Sequence, residues 1–141
     1  MSSAPKPDCL LCREEGGTPL WRDDFCRVVL PAVEGYPAFC RVIVQQHVKE
    51  MTDLAVADRA RLMRVVLACE AALLRLCRPD KVNLASFGNQ VPHLHWHVIA
   101  RFADDAHFPE PAWGAPKRTG VAHAVDQRRL ADEIARAMIE T

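Results

Sequence analysis

The spacing of apolar residues divides the chain into short strands, one long helix and one shorter helix. From Val56 to Cys77, Leu62, Val66, Cys69, Leu73 and Leu76 recur every three or four residues, which puts them along one side of an α-helix. Met63, Leu67 and Leu74 widen that stripe beyond a single contact face, so the helix is expected to pack on a sheet and to touch a second surface, such as another subunit. Asp58 suits its first turn, Arg75 and Arg78 its last, and Pro79-Asp80 ends it. Upstream, Pro19–Asp24, Phe25–Leu30 and Phe39–Gln45 read as strands; downstream, Lys81–Phe87 and His93–Phe102 do. Residues 103–119 are rich in Pro, Asp and Gly around Trp113 and read as an ordered loop or arm. A second helix is expected from Asp126 to Ile139, with Leu130, Ile134 and Met138 on one face. Strands and helices do not alternate as parallel crossovers require, so the expected fold is α+β with a mostly antiparallel sheet. Residues 1–141 read as one domain, with a leader at 1–12 and a C-terminal arm and helix at 103–141.

Composition removes several function classes. Eighteen basic residues balance eighteen acidic ones, nothing like the basic footprint that tracks nucleic-acid phosphates. No apolar run approaches the roughly 18 residues that a membrane span requires. The first eight residues hold no apolar core and do not read as a signal peptide. The expectation is a cytoplasmic protein with reduced cysteines. Cys26, Cys40, Cys69 and Cys77 lie inside apolar patterns and read as small core residues. Cys9 and Cys12 differ, forming a Cys-x-x-Cys pair in a polar, proline-flanked leader.

The candidate chemistry lies in Val91-Pro-His-Leu-His-Trp-His-Val-Ile99. Three of the six histidines, His93, His95 and His97, stand at i, i+2 and i+4. On a strand their imidazoles share one face, while Leu94, Trp96 and Val98 point into a core. Such a row fits a metal site, a nucleophilic histidine or a His-rich solvated face. Neutral imidazole attacks phosphorus well, because a phospho-histidine divides one hard displacement into two easier ones. The preceding turn, Gly88-Asn89-Gln90, offers backbone N–H and amide donors where an anion would sit.

His93-Leu-His95-Trp-His97-Val-Ile resembles the signature of the histidine triad (HIT) superfamily of nucleotide hydrolases and transferases. The resemblance runs from Cys9 to about Phe102: the Cys-x-x-Cys leader, Val42-Ile-Val-Gln-Gln-His47, the long helix, Asn83 and Gly88-Asn-Gln-Val. Within that superfamily it resembles bacterial HIT proteins of the diadenosine tetraphosphate hydrolase type. It implies a five-stranded antiparallel sheet with a long helix, dimerised into a ten-stranded sheet. It also implies His95 as a nucleophile forming a nucleotidyl-histidine at an α-phosphate, with His97 contacting the scissile phosphate and the bridging atom. Asn83, Asn89 and Gln90 would hold phosphate oxygens, although Asn83 also fits a strand-end cap and Asn89-Gln90 a plain polar turn.

HIT relatives that keep the cysteine pair place zinc between it, a histidine after the third strand and the first triad histidine. Those positions here are Cys9, Cys12, His47 and His93, a donor set suited to closed tetrahedral zinc. A metal-free dithiol is the other reading of the pair. Two departures concern the substrate: Pro31, with Glu34 nearby, stands where many relatives bind ribose, and Ala38-Phe39 where many have Gly-His. Trp113 fits either a cover over the site or a core residue. The expected protein is a zinc-stabilised homodimer that cleaves dinucleoside polyphosphates or nucleoside phosphoramidates through His95, with no metal in the chemical step. The alternatives are a nucleotide- or partner-binding module with little turnover, and a hydrolase whose three histidines share a catalytic ion.

Overall fold

Each expected element is found in the computed structural model, which describes residues 4–140; residues 1–3 of the leader and Thr141 lie outside the described residues. After a single helical turn, α1 (Leu10–Arg13), come β1 (Thr18–Arg22), β2 (Cys26–Leu30) and β3 (Phe39–Val44). The long helix α2 (Val56–Cys77) follows, then β4 (Lys81–Ala85), β5 (His95–Arg101) and the C-terminal helix α3 (Gln127–Glu140). The strands form one sheet in the order β1-β2-β3-β5-β4, and every pair is antiparallel. The α+β expectation therefore holds.

Strand periodicity sorts the side chains onto two faces. Cys26, Val28, Cys40, Val42, Val82, Val98 and Ala100 point toward the helices and join Leu62, Val66, Cys69 and Leu73 of α2 in the main core. Each fully buried leucine there contributes about 1.5–3 kcal/mol. Arg78 closes α2 in a left-handed conformation at φ +49°, and Pro79 prevents continuation. Asp126 caps α3 by accepting the Arg129 N–H at 3.1 Å. Leu130 and Ile134 of α3 are fully buried with α2, so α3 covers part of the widened stripe that the sequence left for another surface. Leu67 and Leu74 stay nearly half exposed.

The other face of the sheet carries Arg27, Phe39, Arg41, Ile43, Asn83, His95, His97, Ile99 and Arg101. Two small clusters cover parts of it: Cys9 and Leu11 on Val29 and Ile43, and Tyr36 on Phe39 and Ile99. The arm at 103–119 is pinned by a buried ion pair. Arg101 donates to both oxygens of Asp105, Nε at 2.8 Å and Nη2 at 3.1 Å. Asp105 also accepts from the Tyr36 hydroxyl and from the backbone N–H groups of Phe102, His107 and Phe108.

Candidate active site and metal centre

The row of histidines does not act as a unit. β5 starts at His95, two residues later than the alternation suggests, and His93 lies in the irregular segment before it. His93 is fully buried against the leader. Its Nε2 lies 2.6 Å from the Val44 carbonyl, which can only accept, so this nitrogen carries the proton. The unprotonated Nδ1 then faces the Cys9 and Cys12 sulfurs at 3.3 and 3.5 Å. Burial lowers the His93 pKa further, favouring the neutral ligand form. His47 Nδ1 lies 3.3 Å from the Cys12 sulfur.

The four ligand atoms of Cys9, Cys12, His47 and His93 all lie within 4.8 Å of one another. Tetrahedral zinc with ordinary Zn–S and Zn–N bonds separates sulfur from nitrogen by about 3.5 Å. The sulfur–nitrogen distances here match that spacing, and the Val44 carbonyl supplies the outer hydrogen bond that fixes a ligating imidazole. The residues fit a closed structural site.

His95 carries its proton on the opposite nitrogen. Its Nδ1 donates to the His93 carbonyl at 2.5 Å, so the Nε2 lone pair is left for the cavity. The same residue's carbonyl accepts the Ser86 hydroxyl at 2.6 Å, tying β5 to the turn after β4. Burial and then the Arg41 charge lower the His95 pKa, outweighing the His93 carbonyl, which raises it. His97 is lowered to about 4 by burial, by His95 and by Arg41. Phe39 and Trp113 stand edge-on to its ring at centroid distances of 5.4 and 5.1 Å. Its buried Nδ1 has no hydrogen-bond partner among the described residues. Phe39 occupies the position where the sequence lacks a polar side chain, and it presents only an apolar edge.

His95 and His97 share a cavity of about 360 Å³ with Arg41, Phe87, the Gly88-Asn89-Gln90 turn, Val91 and Trp113. Gly88 sits at φ +78°, which lets the chain reverse and bring Asn89 and Gln90 to the rim. Phe87 and Trp113 are 57% and 50% exposed and meet edge-to-face at 4.8 Å, an apolar wall open to solvent. A neutral nucleophilic nitrogen, amide donors and an aromatic wall in one cavity suit displacement at phosphorus on a ligand with a flat apolar part.

A family model described as the HIT domain matches residues 14–104. The chain belongs to the HIT family. Solved HIT structures similar to it include histidine triad protein blr8122 from Bradyrhizobium japonicum, at 29% identity, covering 89% of this chain and 90% of that one with a TM-score of 0.68. A histidine triad protein from Sinorhizobium meliloti is 28% identical, covering 90% and 91% of the two chains at a TM-score of 0.67. A histidine triad family protein from Mycobacterium smegmatis, described as zinc-bound, shares the fold at 16% identity, covering 94% of both chains with a TM-score of 0.64. Among curated protein sequences, none matches.

Of the five residues expected to meet substrate, four line one cavity. Asn89, Gln90, His95 and His97 are brought together. Asn83 is not: it pairs with Ile99 in the sheet, its Oδ1 accepts from Arg101 at 2.8 Å, and it lines a separate groove with Pro109 and Pro111. Pro31 and Glu34 line a third cavity beside α3, apart from the one that His95 lines. Sequence reasoning missed Arg41 and Phe87. The alternation Phe39-Cys-Arg-Val-Ile puts Arg41 on the face of Phe39 and Ile43, a signal that becomes useful once β3 is known to lie beside β5.

Proposed function

We propose that this HIT protein is a nucleotide hydrolase or transferase that cleaves at the α-phosphate of a dinucleoside polyphosphate or nucleoside phosphoramidate. The observation that carries this reading is the His95 tautomer, with Nδ1–H held by the His93 carbonyl and Nε2 free at the cavity. Nε2 attacks phosphorus, the P–N bond forms, and the bond to the leaving phosphate or amine breaks with a proton delivered to that group. Water then cleaves the nucleotidyl-histidine and releases the nucleoside monophosphate. In this reading His97 meets the phosphate and bridging atom, and Asn89 and Gln90, which line the same cavity, donate to phosphate oxygens. Asn83 is assigned no phosphate contact, since Arg101 already holds its oxygen.

The test is AMP release from diadenosine tetraphosphate and adenosine 5′-phosphoramidate by wild type and His95→Ala. The variant is expected to lose at least about a thousandfold in rate, as removal of a covalent nucleophile does. Equal release by both proteins would refute the mechanism. A binding module is the second reading, favoured by the unpartnered His97 Nδ1 and the distant Pro31 and Glu34; it predicts AMP binding without release. Cys9, Cys12, His47 and His93 would hold zinc, which supplies a structural cross-link between leader and β5 and no part of the displacement. The zinc-bound histidine triad family protein from Mycobacterium smegmatis supports that reading. Exposed Leu67 and Leu74, with β4 at the sheet edge, support a homodimer, and sedimentation at about 16 kDa would refute it. Cytoplasmic location and freedom from membranes and nucleic acid complete the proposal; no helix among the described residues is long and apolar enough to cross a membrane.

A further inference from the structure

Four arginines stand on the site face of the sheet, and their partners differ: exposed Arg22, opposite Arg27, is paired with Glu15 at 2.7 Å. Arg27 is buried and donates to the carbonyls of Leu11, Glu14 and Glu15 and to the Gln45 side chain, so its donors are used. Arg101 is neutralised by Asp105 and also donates to Asn83 and the Glu110 carbonyl. Arg41 has neither arrangement. Its one hydrogen bond among the described residues runs from Nη1 to the Gly16 carbonyl at 3.1 Å, and no carboxylate pairs with it. Its Nε is buried with no partner. A guanidinium taken partly out of water without a counter-charge is costly, and that cost is recovered when an anion arrives.

The position of this cation indicates which anion it would receive. Arg41 pairs directly with His97 across β3 and β5 and lines the cavity that holds His95. Arg41 is the one Arg, Lys, Asp or Glu among the residues that line this cavity. Its planar fork matches phosphate oxygens. From these observations we infer that Arg41 is the anion-binding residue of the His95–His97 cavity, selecting phosphate-bearing ligands over their neutral counterparts. The inference deepens the nucleotide reading by adding a charge requirement, and it can stand or fall separately.

The test is calorimetric binding of AMP, adenosine and pyrophosphate to wild type, Arg41→Met and Arg41→Lys, with thermal unfolding of each protein as the check on folding. Arg41→Met keeps the apolar stem and removes the charge. It is expected to weaken AMP by about 10- to 100-fold, the range for a charge-assisted hydrogen bond, and to leave adenosine unchanged. Arg41→Lys should recover part of the loss through its charge while lacking the fork. AMP and adenosine weakening together, or AMP holding its advantage in Arg41→Met, would overturn the inference. So would a wild type that binds none of the three ligands. Pyrophosphate binding that depends on Arg41, with no AMP binding, would keep the anion seat and remove the nucleotide reading. If Arg41→Met fails to fold, the comparison moves to Arg41→Lys and Arg41→Gln.

Discussion

Asp105→Asn is the substitution whose cost the structure specifies best. Asp105 and Arg101 are 1% and 2% exposed and joined by two hydrogen bonds. Burial raises the Asp105 pKa, but Arg101 and the N–H groups of Phe102, His107 and Phe108 outweigh it and hold the carboxyl well below the carboxylate range. The amide keeps the shape and loses the charge, and its NH2 must face a guanidinium or a backbone N–H. Breaking one side of a buried pair costs about 3–5 kcal/mol, because the remaining charge stays buried. Such a loss is a large part of the roughly 5–15 kcal/mol that holds a domain folded. At an m-value near ~1.5 kcal/mol/M, the urea midpoint should fall by about 2–3 M. Arg101→Met with Asp105→Leu removes both charges and should cost clearly less than the two single changes added together. The arm that Asp105 pins also carries Trp113, so acrylamide should quench Trp113 more readily in Asp105→Asn, measured as the difference from Trp113→Phe. A midpoint shift corresponding to less than about 1 kcal/mol, or single costs that simply add, would refute the reasoning.

Removing metal should destabilise the protein while leaving the His95 tautomer's donor and acceptor in place. Chelation, or Cys9→Ser and His47→Ala, should lower the melting temperature by about 10 °C and lower bound zinc, measured by metal analysis; full metal content in either variant would disprove the ligand set. His97 gives a pH signature of defined sign. Its folded pKa of about 4 lies below the ordinary 6.5, so the unfolded chain binds the extra proton first, and stability is lost as pH falls from 6.5 toward 4. Wild type should lose up to about 3 kcal/mol more than His97→Asn across that window, read by denaturant unfolding at matched pH. Parallel pH profiles for the two proteins would rule it out.

Local patterns carried the fold. The α2 stripe is 22 residues long and bounded by Pro79, so its limits matched Val56–Cys77. Leu94, Trp96 and Val98 turned inward as the alternation implied, and Cys26, Cys40 and Cys69 are core residues. What local patterns could not supply was the neighbour of each strand. Arg41 and His97 meet only because β3 lies beside β5, and they are 56 positions apart in sequence. Asn83 stands one cross-strand position away from the cavity row, where Arg101 claims it, a competition invisible without the register. Pro31 and Glu34 follow β2 and line a different cavity from His95, a placement that counting back from His47 does not reveal. Trp113 sits in a segment without periodicity; Arg101 holds that arm through Asp105 and the Glu110 carbonyl, and Phe39 and Phe87 pack on the ring where it reaches His97.

The three histidines share a residue type and a spacing, yet backbone carbonyls give them different tasks. His93 gives its Nε2–H to Val44, which turns Nδ1 toward the cysteines. His95 gives its Nδ1–H to His93, which turns Nε2 toward the cavity. His97 has aromatic neighbours instead of an acceptor for Nδ1, and burial, then His95 and Arg41, disfavour its proton. The two functional centres therefore meet in one residue. The side chain of His93 belongs to the cysteine cluster, and its carbonyl sets which nitrogen of His95 is free. A change that shifts the His93 backbone acts on the leader and on the His95 imidazole together, whereas a change at Arg41 acts on the cavity's charge and leaves that carbonyl in place.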